Sequence, residues 1–207
     1  MGSHDRQRAR PRGGPASSGA ASPARPGQPA GHGQADSHGL TLDQARAEAA
    51  IEQALAGLGL TPDRPQPGSF LVKLPGQRKL ATMTWLIVGT HSLHVEAFFC
   101  RQPDEAHARF YRFLLERNGQ MYGVHFALDP QGDVYLVGRL PLVSVTADEV
   151  DRLLGCVLSY SDENFNQALS IGFASSIRKE WAWRVKRGES LANLAAFARF
   201  ASQPGGE

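Results

Sequence analysis

The sequence contains few of the features that mark secreted or membrane-spanning proteins. It has two cysteines, Cys100 and Cys156, whereas a secreted domain held by disulfides would normally use more. Its longest apolar stretches, such as Trp85 to Val88, fall far short of the ~20 residues that a helix needs to cross a bilayer. We therefore expect a soluble, cytoplasmic protein whose cysteines are reduced thiols in the core.

Large apolar residues are absent from the first part of the chain. Between Gly2 and Gly39 there is no Val, Ile, Leu, Phe, Trp or Tyr, so nothing there can offset the entropy cost of ordering. The same absence removes the apolar segment of a signal peptide and the amphipathic helix of a transit peptide. Residues 1–39 are therefore predicted to be a disordered Gly/Pro/Ala/Arg-rich arm.

The arm also accounts for the basic character of the chain. It holds five arginines against two aspartates, which gives it a charge of +3, while the whole chain carries +2. The residues from Leu40 onward consequently carry −1. The overall charge therefore provides no argument for a nucleic-acid-binding surface on the folded part.

Known catalytic motifs are missing as well. The chain has no Gly-x-Ser-x-Gly elbow, no Walker loop and no dinucleotide fingerprint, and the sequence from Gly172 to Ser175 misses the elbow pattern by one residue. Asp162 and Glu163 are adjacent on a predicted helix, so they do not face each other as a general acid and base must. We expect a protein that is not an enzyme and that needs no cofactor.

Histidines and a cysteine suggest a zinc site, because imidazole and thiolate are zinc ligands. The candidates are His91, His94, Cys100, His107 and His125. His91 and His94 are predicted to point to opposite faces of a strand, and neither has the paired spacing of a zinc site. The sequence from His94 to Glu96 begins like a zinc-deaminase signature, but the required Pro-Cys-x-x-Cys does not follow. No metal site is predicted.

Hydrophobic periodicity predicts the element order α-βββ-α-ββ-α. A capping box at Thr41 to Gln44 opens a helix that is ended by Gly57 and Gly59 and whose apolar stripe is Ile51, Leu55 and Leu58. Alternating residues then predict three strands, at Phe70 to Leu74, Lys79 to Val88 and Leu93 to Cys100. The second strand is apolar on both faces, which leaves open which face meets the core.

The second half of the pattern begins with a helix opened by Pro103, Asp104 and Glu105 and closed by Asn118 and Gly119. Its predicted buried stripe is Ala106, Phe110, Phe113 and Leu114. A hairpin follows, with strands at Tyr122 to Leu128 and Val134 to Leu140. A second capping box, at Thr146 to Glu149, opens a long helix that bends at Gly172 and continues toward Trp183, and a last helix spans Leu191 to Phe200 with Leu191, Leu194 and Ala198 inward.

Several stretches of this pattern resemble the actinobacterial branch of the YbjN family. They are Gly132 to Leu142, Thr146 to Leu154, Asn164-Phe165 and Gly172 to Ile177, and the resemblance extends over residues 40–202. It implies an α+β fold similar to type III secretion chaperones, with a five-stranded, mainly antiparallel sheet and an extended C-terminal helix. Those chaperones are usually homodimers that hold an extended client segment. The resemblance further implies a regulator of stress responses or sensory transduction, and no catalytic residues.

These observations predict residues 1–39 as the arm, 40–187 as one YbjN-like domain and 188–207 as a short C-terminal helix and tail. The predicted function is that of a non-catalytic, chaperone-like or regulatory adaptor, a homodimer that binds a protein client. The predicted contact residues are His94, Glu96, Phe98, Trp181, Trp183 and Arg184. The first alternative is a nucleic-acid-associated regulator that uses the basic and Trp-containing segment 178–187, although cations there also suit the C-terminal end of a helix. The second, less favoured, is an enzyme of unknown class.

Overall fold

The computed structural model describes residues 41–202, so the arm predicted for residues 1–39 lies outside the described residues. The first helix, α1, spans Leu42–Gly57. Its capping box is confirmed: the Thr41 hydroxyl accepts from the Gln44 N–H at 3.2 Å, and the Gln44 side chain accepts from the Thr41 N–H at 2.9 Å. The predicted stripe is wrong at Leu58, which caps the helix and is exposed.

One antiparallel sheet forms the centre of the fold. Its strands are β1 (Ser69–Pro75), β2 (Ala81–Val88), β3 (Ser92–Cys100), β4 (His125–Leu128) and β5 (Val134–Pro141), arranged in the order β1-β2-β3-β5-β4. The predicted five-stranded α+β architecture is confirmed. The predicted start of β4 at Tyr122 is wrong, because Gly123 adopts a φ of +71° and turns the chain before the strand begins.

The remaining helices are α2 (His107–Asn118), α3 (Ala147–Gly172), α4 (Ala174–Arg187) and α5 (Ala198–Ala201). The predicted bend at Gly172 is confirmed, since α3 ends there and α4 starts two residues later. The predicted last helix is wrong in form: a 3-10 helix at Ala192–Phe197 precedes α5. Phe197 is buried in it, in place of the predicted inward residues Leu191, Leu194 and Ala198, which are half-buried.

The start of α2 differs from the prediction. The helix begins at His107 and not at Pro103, because Ala106 has a φ of 50°, a left-handed conformation that a helix interior does not allow. Ala106 is exposed, so the predicted buried stripe loses its first member. Phe110, Phe113 and Leu114 are buried as predicted.

Asp104 and Glu105 bind the start of α4, not the start of α2. The Glu105 carboxylate accepts from the Ser175 N–H at 2.5 Å and from its hydroxyl at 3.1 Å, and the Asp104 carboxylate accepts from the Ser176 hydroxyl at 2.6 Å. The hydrogen bond from Arg101, followed by that from Ser176, lowers the pKa of Asp104 to about 2. Two acids therefore complement the positive end of a helix that is distant in sequence.

The start of α3 carries a single N-cap and not the predicted capping box. The Thr146 hydroxyl accepts from the Glu149 N–H at 3.2 Å, as predicted. The Glu149 carboxylate turns away, however, and accepts from the Tyr122 hydroxyl at 2.8 Å and from Arg152 at 3.2 Å. Glu149 thus ties the turn before β4 to the first turn of α3.

The three helices α1, α2 and α3 lie against one face of the sheet and bury the core between them. On that face alternate residues of β1, β2 and β3 and the first half of β5 are buried. The largest fully buried side chains include Phe70, Phe99, Phe110, Ile51 and Leu136. None of the helices within residues 41–202 combines the length and the apolar character of a membrane span.

Candidate functional site

The second face of the sheet contains three of the predicted contact residues. Within residues 41–202 its side chains are half-buried or exposed, while those of the opposite face are buried. We call it the open face and define it by Leu71, Met83, Trp85, Ile87, His94, Glu96, Phe98, His125, Tyr135, Val137 and Arg139.

The sequence left open which side of β2 packs against the helices, and a polar contact in the structure identifies that side. Thr82 and Thr84 are buried together with Leu86 and Val88, and the Thr82 hydroxyl lies 2.8 Å from the hydroxyl of Ser161 on α3. Because this hydrogen bond satisfies a buried hydroxyl, the threonine side of β2 faces the helices. The larger side chains of Met83, Trp85 and Ile87 are consequently placed on the open face.

The strand register aligns the open face into rows. One row crosses all five strands and consists of Leu71, Trp85, Glu96, Val137 and His125, each paired with the next. Directly opposite residues on one face of a sheet have side chains in contact. The centre of the open face is therefore a mainly apolar strip, with the Glu96 carboxylate in its middle and His125 at its β4 end.

The predicted contact residues His94, Glu96 and Phe98 all lie on the open face. His94 Nε2 is 3.2 Å from Glu96 Oε2, and the Phe98 ring packs edge-on against Tyr135 with centroids 5.4 Å apart. Cys100, which alternation assigns to the same face, is instead buried, because a bulge between Phe98 and Cys100 shifts the register. Burial raises the pKa of the Cys100 thiol to about 12, despite the opposing charge of Lys79.

The other predicted contact residues lie on α4, which packs against α3 and the C-terminal segment. Trp181 is half-buried against the core, whereas Trp183 is exposed and stacks with the Arg187 guanidinium at 4.8 Å. Arg184 binds Glu180 at 2.6 Å and donates to the Ser190 carbonyl at 3.0 Å. Arg184 thus holds the end of α4 to the following loop.

The three arginines of the basic segment 178–187 make contacts within the chain. Besides Arg184, Arg178 donates to the Phe200 carbonyl at 3.5 Å, and Arg187 pairs with Glu189 at 3.2 Å. Cations at the C-terminal end of a helix also interact favourably with its dipole. These contacts give the segment a role in holding the C-terminal part of the domain.

A smaller apolar groove runs between α2 and the edge strand β4. It is lined by Tyr111, Leu114, Leu115, Asn118, Phe126, Ala127 and Leu128. Leu115 is 68% exposed and Leu128 is 51% exposed, which is a large apolar exposure for two neighbouring elements.

Asp162 has a role that the sequence did not reveal. Its carboxylate accepts the backbone N–H groups of Gln77, Arg78 and Lys79 at 2.8, 2.7 and 3.0 Å. Burial opposes the charge of Asp162, but the three donors outweigh burial, so its pKa is lowered. A Cβ at Gly76 would lie 2.3 Å from the Lys79 carbonyl oxygen and 2.6 Å from this carboxylate, so the loop needs glycine there.

Within the described residues no group of three His, Cys, Asp or Glu side chains is arranged to hold a metal ion. His94 pairs with Glu96, and Asp162 binds the loop before β2. The residues considered for zinc binding and for acid–base chemistry are thus distributed over separate parts of the fold.

The fold and the open face together define an α+β domain with helices on one side of a five-stranded antiparallel sheet. The chain belongs to the YbjN family, described as "Putative bacterial sensory transduction regulator", whose sequence model matches residues 48–170. The resemblance stated from the sequence is therefore confirmed over these residues.

Mycobacterial proteins are among the relatives. An uncharacterized protein of Mycobacterium tuberculosis (strain H37Rv) is 56% identical over 138 residues, which cover 65% of this chain and 75% of that protein. An uncharacterized protein of Mycobacterium leprae is 55% identical over 136 residues, which cover 66% of this chain and 74% of that protein. These relatives agree with the resemblance to the actinobacterial branch.

Two solved structures contain similar chains. A chain of the HopA1–SchA chaperone–effector complex has a TM-score of 0.47 and 10% identity, with 61% of this chain and 98% of that chain covered. A chain of the ExsC–ExsE complex has a TM-score of 0.42 and 16% identity, with 60% of this chain and 94% of that chain covered.

Proposed function

We propose that the protein is a non-catalytic regulatory adaptor that binds a polypeptide partner through the open face of its sheet. The observation that carries the proposal is the row of Leu71, Trp85, Glu96, Val137 and His125, which crosses all five strands without a covering helix among residues 41–202. An apolar strip with a polar rim is typical of surfaces that bind proteins. The family description, a regulator of sensory transduction, is compatible with such an adaptor.

The composition of the open face favours a protein partner. Trp85 lies at its centre, and tryptophan is enriched among the residues that dominate binding energy in interfaces. Glu96, paired with His94, lies next to Trp85 and provides a polar group that can fix the orientation of a partner. The basic segment 178–187, in contrast, uses three of its arginines within the chain.

The sheet edges are less suited to binding than the open face. The outer edge of β1 is paired at Leu71, whose N–H and C=O exchange hydrogen bonds with Asp63 at 2.8 and 2.9 Å. On β4, the Asn118 side chain accepts from the Phe126 N–H at 2.8 Å and donates to its carbonyl at 3.1 Å. Because edge groups with partners cannot template another strand at those points, a partner is expected to dock on the open face rather than add a strand.

The adaptor is proposed to act in the cytoplasm as a homodimer formed through the groove between α2 and β4. Light scattering on the full chain should give twice the mass of one chain. Leu115→Glu should weaken dimerisation by about a hundredfold, because the single two-fold interface contains Leu115 twice, and each copy would lose an apolar contact and gain a charge. Arg112→Gln, a change on the exposed side of the same helix, is the matched control. A wild-type mass of one chain at micromolar concentration would refute the dimer.

Affinity capture with the full chain from its native cells tests the adaptor function itself. The tagged protein should return the same one or few proteins in independent preparations, and these proteins should bind the purified chain directly. If purified candidates fail to bind and the chain remains a monomer, the proposal is wrong.

A further inference from the structure

An open, mainly apolar pocket of about 360 Å³ lies between the end of β3, the second half of α3, α4 and the C-terminal segment. Its apolar lining consists of Phe98, Phe99, Phe165, Leu169, Phe173, Ile177 and Leu194. Its charged lining residues are Lys79, Arg101 and Glu180. The volume falls within the range of small-molecule sites, which is about 300–1,000 Å³.

The Lys79 ammonium group is directed to this pocket by the loop that Asp162 holds. It donates one hydrogen bond to the Phe98 carbonyl. The rings of Phe98, Phe99 and Phe165 surround it, with centroids 5.6, 5.6 and 5.8 Å from Nζ. These distances are near the ~6 Å limit of cation–π attraction, so the rings compensate the charge only weakly.

The other charged groups of the pocket already have partners. Arg101 Nη2 is 2.7 Å from Asp104 Oδ2, and Glu180 binds Arg184 at 2.6 Å. Lys79 has no carboxylate partner within residues 41–202, because Asp162 binds its backbone N–H and not its ammonium group. Burial lowers the pKa of Lys79 to about 8, which nearby Cys100 partly opposes. Among residues 41–202, the pocket thus contains one cation that lacks a counter-ion.

We propose that this pocket binds a monocarboxylic acid with an apolar body, whose carboxylate pairs with the Lys79 ammonium group while its body packs against Phe165, Phe173 and Ile177. At ~30 Å³ per non-hydrogen atom, the share of one water molecule in the liquid, the volume holds roughly 12 such atoms. A ten-carbon acid has this size. The site shares Phe98 with the open face but contains no residue of the central row, and the assignment does not depend on the proposed function.

The chemistry of the pocket selects a carboxylate over other head groups. A phosphate monoester carries nearly two charges and needs several donors, whereas the start of α4 is already occupied by the carboxylates of Asp104 and Glu105. An amine would place a second cation beside Lys79. An alcohol would leave the ammonium group without a counter-ion and lose the charge-assisted hydrogen bond.

Calorimetric titration of the full chain with decanoate, decanol and decylamine tests this assignment. Decanoate should bind saturably with one equivalent per chain, decanol should bind at least about tenfold more weakly, and decylamine should not bind. Lys79→Met retains most of the apolar stem and should weaken decanoate binding by about tenfold or more. Lys186→Met, which changes an exposed lysine outside the pocket, should leave decanoate binding unchanged.

A second readout locates the ligand without relying on a variant. Bound decanoate should protect Lys79 from acetylation, measured by peptide mass spectrometry, and should leave Lys186 as reactive as in the free protein. The assignment is overturned if decanoate does not bind saturably, if decanol binds as tightly as decanoate, or if Lys79 is not protected.

Discussion

Phe110→Ala should lower the free energy of unfolding by about 3–5 kcal/mol, the usual cost of removing a fully buried phenylalanine. Phe110 is 0% exposed and packs edge-on against Phe173, with ring centroids 6.3 Å apart. Phe110 lies on α2 and packs against the junction between α3 and α4. Gly172 lies at this junction, and its lack of a side chain leaves room for the Phe110 ring. Urea unfolding followed by circular dichroism measures the change, and Arg109→Ala, an exposed change on the same helix, should cost less than about 0.5 kcal/mol.

A double-mutant cycle shows whether Gly172 is required by Phe110. A Cβ on Gly172 would lie 2.7 Å from Phe110 Cδ2 and 2.8 Å from Pro103 Cβ. Gly172→Ala alone should therefore cost about 1–3 kcal/mol through overpacking. In the Phe110→Ala background the cost should fall by about 1 kcal/mol or more, because the ring is gone. If the free-energy costs of Gly172→Ala and Phe110→Ala are additive, the contact between Gly172 and the Phe110 ring does not stabilise the junction between α3 and α4.

Local sequence signals predicted much of the fold. The capping box at Thr41, the alternation of β3 and the Asp129 to Asp133 hairpin, in which Gly132 has a φ of +87°, each depend on residues close in sequence. The element order followed from these signals, and so did the placement of His94, Glu96 and Phe98 on one face of β3.

The features that the sequence did not predict depend on contacts between distant segments. Asp104 and Glu105 have the pattern of residues that start α2, yet their carboxylates bind serines about seventy positions away. The orientation of β2 depends on Ser161, and the position of Lys79 depends on Asp162. Because each of these contacts requires the folded arrangement, neither the open face nor the Lys79 pocket could be assembled from periodicity alone.

Trp85→Lys should weaken partner binding by about thirtyfold or more, the effect of losing a central interface residue worth roughly 2 kcal/mol. Trp85 lies between Leu71 and Glu96 in the central row of the open face. A lysine at position 85 is opposite Glu96, and a cross-strand ion pair between them limits the loss of fold stability. The substitution still places a charge on the apolar strip that is proposed to contact the partner. Val137→Lys places a lysine opposite Glu96 on the neighbouring strand β5, and it should weaken partner binding by a similar factor.

The matched control for these substitutions is Val185→Lys, which adds the same charge at an exposed apolar residue of α4. It should change neither the melting temperature nor partner binding by more than a small amount. Comparing the melting temperatures of all three variants separates loss of binding from loss of folding.

The affinity of a captured and purified partner for the wild-type, Trp85→Lys and Val185→Lys chains tests the central claim most directly. Titration calorimetry should give affinities within about threefold of each other for the wild type and Val185→Lys, with at least about thirtyfold weaker binding for a folded Trp85→Lys chain. If Trp85→Lys binds the partner as tightly as the wild type, the open face of the sheet is not the partner-binding surface.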